Sequence, residues 1–223
     1  MTYDAALHLL DRQIVDSDGR LVAKVDDVEL TWREDGTINP TGLLVGLPAL
    51  LPRLGGWWGD RLMRLVVEIR WIAEERGRPL VIDFDLVDGL TSEVRLSCSA
   101  EGLLRRLPED RDDDTCRLGD LLGLPVRCAA LPARSKVLDA RISGRPGERG
   151  EHRLAALVVG PGRPGGLLGY DRRGEPGPAV VAAVVRWLHR HARAVDLDAA
   201  VEIDLVAGEV RIGAGASVEP LVG

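Results

Sequence analysis

Apolar positions along this chain fall into two patterns, and the patterns take turns. The opening stretch carries short apolar runs: Leu9-Leu10, Ile14-Val15, Arg20 to Leu30, then Thr41-Gly42-Leu43-Leu44-Val45-Gly46. Between them stand Asp16-Ser17-Asp18-Gly19 and Glu34-Asp35-Gly36. An Asp-Gly pair between apolar runs is a strong hairpin signal, because glycine takes the backbone conformation a tight turn demands. Arg20 to Leu30 is rich in β-branched residues and partly alternates, as a half-buried strand does. The period then changes. Leu62, Leu65, Val66, Ile69 and Ile72 recur at helical spacing and predict an amphipathic helix. After it the pattern returns to strands at Leu80 to Phe84 and Glu93 to Leu96.

The whole series then comes round again. Leu9 to Leu30 aligns without gaps on Leu121 to Ile142, and the chain's two lysines, Lys24 and Lys136, fall on each other. Leu154 to Gly160 takes the place of Thr41 to Gly46. Val180, Val181, Val184, Val185 and Leu188 repeat the helical face. Arg70-Trp71-Ile72 matches Arg186-Trp187-Leu188, and Glu93-Val94-Arg95-Leu96 matches Glu209-Val210-Arg211-Ile212. An internal repeat of this length predicts two copies of one unit of ordinary domain size. The copies are residues 1–105 and 117–223. The intervening segment 106–116, with its run Pro108-Glu109-Asp110-Arg111-Asp112-Asp113-Asp114, reads as an exposed acidic linker. Neither helix is long enough to stand alone, so each must lay its apolar face on other parts of the chain.

The stretch Ile14-Val15-Asp16-Ser17-Asp18-Gly19-Arg20-Leu21-Val22-Ala23-Lys24-Val25-Asp26-Asp27-Val28 resembles the opening of a PRC-barrel domain. That family's pattern is an apolar strand, a D-x-D-G-like turn, then a strand of the form G/A-K-V-x-D-V. The second copy departs from it: Cys128-Ala129-Ala130 replaces the Asp-Gly turn, while Lys136-Val137 and Asp139 remain. Its place in the family therefore rests on the repeat. The resemblance implies an α+β, mainly β fold of two tandem PRC-barrel-like small β-barrels, each with one amphipathic helix. The family includes the cytoplasmic domain of the photosynthetic reaction-centre H subunit and one domain of a ribosome maturation factor, and serves chiefly for docking onto larger assemblies. It has no shared active site, so the resemblance brings no catalytic residues.

Composition narrows the classes. The chain has 223 residues, 45% apolar and 29% charged, which is globular rather than disordered. No apolar run reaches the ~18 residues of a membrane span. The start, Met-Thr-Tyr-Asp, has no basic region followed by an apolar one, and a cytoplasmic location is expected. The net charge of −6 argues against a dedicated nucleic-acid binder. Neither lysine lies in a phosphate loop. Cys98, Cys116 and Cys128 form no C-x-x-C pair and are expected as reduced thiols.

The remaining candidates are few. Asp16, Asp18, Asp26 and Asp27 do not make a calcium loop, since Gly19 comes too early, and a turn accounts for them. Asp27 and Asp139 hold matched places in the repeat and read as strand-end carboxylates accepting backbone or lysine hydrogen bonds. His189 and His191, two apart, point to different helix faces and form no metal pair. Arg186, Arg190 and Arg193 share a face at helical spacing. They form either a basic stripe toward an acidic partner (a protein surface or RNA phosphate) or a plain solvated face. Trp57 and Trp58 follow Gly55-Gly56, and one of them is free to anchor a partner while the other packs. Pro161-Gly162-Arg163-Pro164-Gly165-Gly166 lacks the spacing of a phosphate cradle and reads as a loop. No signature of a serine hydrolase, zinc protease or protein kinase is present.

The expectation is a non-enzymatic interaction or scaffold module without metal or cofactor, docking on a protein through Trp57, Trp58, Arg186, Arg190 and Arg193. Two alternatives stand beside it. One is a ribosome- or RNA-associated maturation-type factor, which steep salt dependence would reveal. The other is a small-ligand protein with a site between the copies. The assembly expected is a monomer whose copies pair about a pseudo-twofold axis, or a homodimer.

Overall fold

The computed structural model describes residues 2–46, 49, 78–108, 113–145, 152–161, 192–198 and 200–220. The chain is mainly β. Its first part gives β1 (Thr2–Asp4), a single helical turn α1 (Ala5–His8), β2 (Gln13–Val15), β3 (Leu21–Lys24), β4 (Asp27–Trp32) and β5 (Ile38–Val45). After residue 77 come β6 (Leu80–Asp83), β7 (Val87–Leu90), β8 (Glu93–Leu96) and β9 (Arg105–Arg106). Then follow β10 (Thr115–Arg117), a second helical turn α2 (Leu118–Leu121), β11 (Val126–Arg127), β12 (Lys136–Ser143) and β13 (Arg153–Gly160). The last strands are β14 (Arg193–Asp196), β15 (Val201–Asp204), β16 (Glu209–Ile212) and β17 (Val218–Pro220).

These elements make two compact units. One comprises Leu9–Asp120 with Gly144–Arg153. It holds a five-stranded sheet of order β10-β4-β5-β6-β9 and a four-stranded sheet of order β3-β2-β8-β7. The tight turns are where the sequence places them: Gly19 and Gly36 both have positive φ, at 77° and 79°. The Asp16–Gly19 turn joins β2 to β3 in register Ile14 opposite Ala23. Arg20 to Leu30, read as one alternating stretch, is in fact two strands broken at Val25-Asp26. There the Val25 amide donates to the Arg12 carbonyl and the Asp26 amide to the Leu44 carbonyl. Leu30, Leu43, Ile82, Phe84, Val94 and Leu96 are buried in this unit. Leu44, Ala49 and Val81 form a cluster of their own, with Leu107 packed on it. The unbroken burial of Gly42 to Val45 follows from a strand covered on both faces, where the polar alternate positions disappear.

The other unit comprises the first eight residues with Leu121–Ser143 and Leu154–Gly223. Its sheets have the orders β1-β12-β13-β14-β17 and β11-β16-β15. Apart from β3, which has no counterpart strand here, these orders repeat those of the first unit, and so do individual hydrogen bonds. Asp11 N–H to Val25 O, Arg12 N–H to Leu9 O and Val25 N–H to Arg12 O recur as Gly123 to Val137, Leu124 to Leu121 and Val137 to Leu124. The parallel pair β2–β8, Ile14 opposite Val94, recurs as β11–β16, Val126 opposite Val210. The repeat read in the sequence thus has a counterpart in the hydrogen-bond pattern.

Each unit also borrows its first strand. β1 and α1 open the first copy in the chain, yet β1 pairs antiparallel with β12 of the second, Tyr3 opposite Ile142. β10 and the start of α2 stand at the opening of the second copy, yet β10 pairs with β4 of the first, Cys116 opposite Leu30. The compact units therefore do not follow the contiguous segments 1–105 and 117–223. Within 106–116, Arg106 belongs to β9, and Thr115 and Cys116 belong to β10 with Cys116 buried, so the exposed stretch is shorter than the sequence reading gave it. Each of the four sheets has two end strands, and none closes into a barrel among the described residues. The predicted helices over 62–72 and 180–188 lie outside the described residues. No helix among the described residues is long and apolar enough to cross a membrane.

Candidate functional site

Of the five residues expected to bind a partner, Trp57, Trp58, Arg186 and Arg190 lie outside the described residues, as do His189 and His191. Arg193 is described, and it does not continue a helix. It opens β14, opposite Val159 on one side and Pro220 on the other, and its guanidinium donates to the Ala192 carbonyl at 3.0 Å. Helical spacing therefore does not place it with Arg186 and Arg190. The physical reason is the core: Ala192, Ala194 and Val195 are buried, and Ala194 and Val195 take the strand's ladder partners.

The acidic residues of the family-like stretch are engaged with backbone. Asp16 is buried, and its Oδ1 accepts from the amides of Asp18 at 3.0 Å and Arg20 at 2.8 Å. Its Oδ2 accepts from Ala100 at 3.2 Å, which ties the hairpin to the loop after β8. These amide bonds, that of Arg20 first, hold its carboxyl below the usual range. Asp26 accepts from Gly46 N–H at 2.6 Å and lies 3.9 Å from Lys24, which also reaches Asp11 at 3.0 Å.

Asp27 and Asp139 play one part twice. Asp27 Oδ1 accepts from its neighbour Val28 at 2.8 Å and from Gly119, in the borrowed helical turn, at 3.0 Å. Asp139 Oδ1 accepts from Ala140 at 2.6 Å and from Ala6, in the other borrowed turn, at 2.7 Å; its Oδ2 accepts from Leu7 at 3.2 Å. Each carboxylate thereby satisfies amides that a helix start leaves without intrahelical partners. Burial works against the charge. It pushes Asp27 up to about 6, and Asp139 up to about 7. Asp27 Oδ2 is buried without a hydrogen bond, which is part of the reason. Both carboxylates accept backbone hydrogen bonds, as the sequence reading expects; Asp27 stands at a strand end, opening β4, whereas Asp139 lies within β12.

Chemistry beyond this is sparse among the described residues. No three His, Cys, Asp or Glu side chains gather as a metal ion would require. None of Cys98, Cys116 and Cys128 is in a disulfide.

What the sequence reading missed is a set of outward apolar side chains. Leu21 is 65% exposed on β3, an end strand of its sheet. Its neighbour Arg20 forms an ion pair with Asp18 at 3.4 Å. In the other unit, Leu205 and Val206 sit in the β15–β16 turn, and Val206 is fully exposed. On β15 and β16, Arg211 reaches Glu209 at 2.9 Å, Glu202 at 3.6 Å and Asp204 at 3.8 Å, while Arg127 of β11 reaches Glu209 at 3.1 Å. The signal was present in the sequence: Leu205-Val206 is an apolar pair inside a turn, where polar residues are the rule.

Compared with known proteins, the chain matches no family model and no curated protein.

Proposed function

We propose that this chain is a non-enzymatic docking module of PRC-barrel-like architecture that binds a partner protein. The observation that carries the reading is the use made of its carboxylates. Asp16, Asp26, Asp27 and Asp139 all accept backbone amide hydrogen bonds, so the residues that carry the family resemblance organise turns and strand junctions. Leu21 and Val206, by contrast, hold apolar surface out to solvent, each beside charged neighbours. Apolar side chains surrounded by a polar rim supply much of the binding free energy in protein contacts.

The test is capture from native lysate by the tagged full chain, beside Leu21→Glu and Val206→Glu variants, with and without nuclease and at two salt concentrations. The expected result is a protein that survives nuclease and salt and is depleted at least tenfold by one of the two substitutions. Capture that both substitutions leave intact overturns the role given to these side chains. Capture that disappears with nuclease and high salt overturns the protein-docking reading in favour of an RNA-linked one.

A further inference from the structure

The two borrowed segments dock in the same way, and something must tell them apart. Thr2–His8 and Thr115–Leu121 are equivalent: each is a three-residue strand followed by one helical turn. Their receiving strands, β12 and β4, are equivalent too, and each offers an aspartate, Asp139 or Asp27, to the amides of the incoming turn. That carboxylate is common to both sites, so it cannot decide which segment goes where. The third strand position can. In one site Asp4 lies opposite Arg141, and the two form an ion pair at 2.9 Å with about a quarter of each side chain exposed. In the other site Arg117 lies opposite Glu29. The charges are inverted between the sites. Were each segment to dock on the strand of its own copy, Asp4 would face Glu29 and Arg117 would face Arg141, a like-charge clash at both. Opposed charges directly across an antiparallel pair favour pairing, and like charges disfavour it. The buried second position adds a difference of bulk, Tyr3 opposite Ile142 against Cys116 opposite Leu30.

We propose that the inverted charge pairs Asp4/Arg141 and Arg117/Glu29 are a sorting code: they direct each opening segment onto the sheet of the other copy and away from its own. Specificity of this kind needs the repulsive alternative as much as the attractive pair. Both are written here in four residues.

The full-length chain serves for the test. Thr2→Cys with Ser143→Cys reports the exchanged pairing, because Thr2 lies opposite Ser143. Thr2→Cys with Thr31→Cys reports pairing within a copy, because Thr31 is the partner of Thr115, the equivalent of Thr2. A short thiol cross-linker followed by peptide mapping separates these links from any made by Cys98, Cys116 or Cys128. With the natural charges the Thr2–Ser143 link should dominate. In an Asp4→Arg/Arg117→Asp background the ratio of that link to Thr2–Thr31 should fall by roughly tenfold or more, since attraction becomes repulsion at two sites. Adding Glu29→Arg and Arg141→Glu should restore it. An unchanged ratio in the doubly substituted chain overturns the proposal, and so does failure of the fourfold chain to restore it. If the doubly substituted chain does not fold, the fourfold chain decides. Recovered folding with the Thr2–Ser143 link supports the code, and no recovery overturns it.

Discussion

At the scale of single residues, two kinds of position set the tolerances of the molecule. The first is a close approach. Gly42 lies in β5 between β4 and β6, and a Cβ there would meet Val81 Cγ2 at 2.5 Å and Glu29 Oε2 at 3.2 Å. Gly89 in β7 has only Arg95 Cβ nearby, at 3.6 Å. Gly42→Ala should therefore cost about 1–3 kcal/mol from overpacking, and Gly89→Ala no more than about 0.5 kcal/mol; urea unfolding of the two variants checks the difference. The second kind is a carboxyl buried against its preference. Asp27 and Asp139 bind their protons more tightly folded than unfolded, since burial raises both above the ordinary 3.8. Between about pH 4 and pH 7 the native state holds more protons than the unfolded one. Their contribution is then complete below pH 4 and is lost as pH rises through about 6 for Asp27 and about 7 for Asp139. For Asp27 the loss is at most about 3 kcal/mol. Asp16, Asp35 and Glu209, whose pKa values are lowered by amide, Thr37 and arginine hydrogen bonds respectively, act at the acid end, as pH falls below the ordinary 3.8 of the aspartates and 4.5 of Glu209. Urea midpoints should fall from pH 4.5 toward pH 7.5. Asp27→Asn, which keeps the Oδ1 acceptor, should flatten the lower part of that slope, and an unchanged slope would show that other groups set it.

At the scale of elements, the borrowed strands hold more than their length suggests. Tyr3 is 5% exposed, lies opposite Ile142, and packs edge-on against His8 with ring centroids 6.3 Å apart. Tyr3→Ala should cost about 3 kcal/mol, as much as a central core residue, although it is only the third residue of the chain. Thermal unfolding of Tyr3→Ala beside Tyr3→Phe separates the ring's packing from its hydroxyl. The elements legible in the sequence were those with local signals. The Asp-Gly turns fixed β2–β3 and β4–β5, and β8 and β16 fall on Glu93–Leu96 and Glu209–Ile212 as read. The elements that escaped were short or non-local. Thr2–Asp4 and Thr115–Arg117 are three residues each, too short for any period to show. Their partners lie more than eighty positions away along the chain. Arg193–Asp196 was hidden for a different reason: the arginine spacing that runs into it fits a helix, and nothing local marks where the helical pattern stops.

At the scale of the whole molecule, the repeat was legible and the exchange was not, because a repeat is a property of one string while an exchange is a property of pairings. The two lysines and the matched Asp27 and Asp139 mark equivalent places. They say nothing about which copy's opening segment fills which place. The consequence is that stability at the start of the chain belongs to the unit built mostly from its end. A chain beginning at Leu9 lacks β1 and α1, so β12 loses its outer partner and Asp139 loses the Ala6 and Leu7 amides. An unpaired edge opposite Ile142 and a desolvated carboxylate without its donors weaken that unit. The unit containing β4 keeps β10, with Cys116 still opposite Leu30 and Gly119 still donating to Asp27. Amide hydrogen exchange resolves the two, because protection reports local opening. Shortening the chain should strip protection from residues 139–143 of β12 and leave residues 27–32 of β4 protected. The reverse outcome, with loss confined to β4 and β2, would mean that the opening segment stabilises the copy it opens, and the exchange of strands would then not hold in solution.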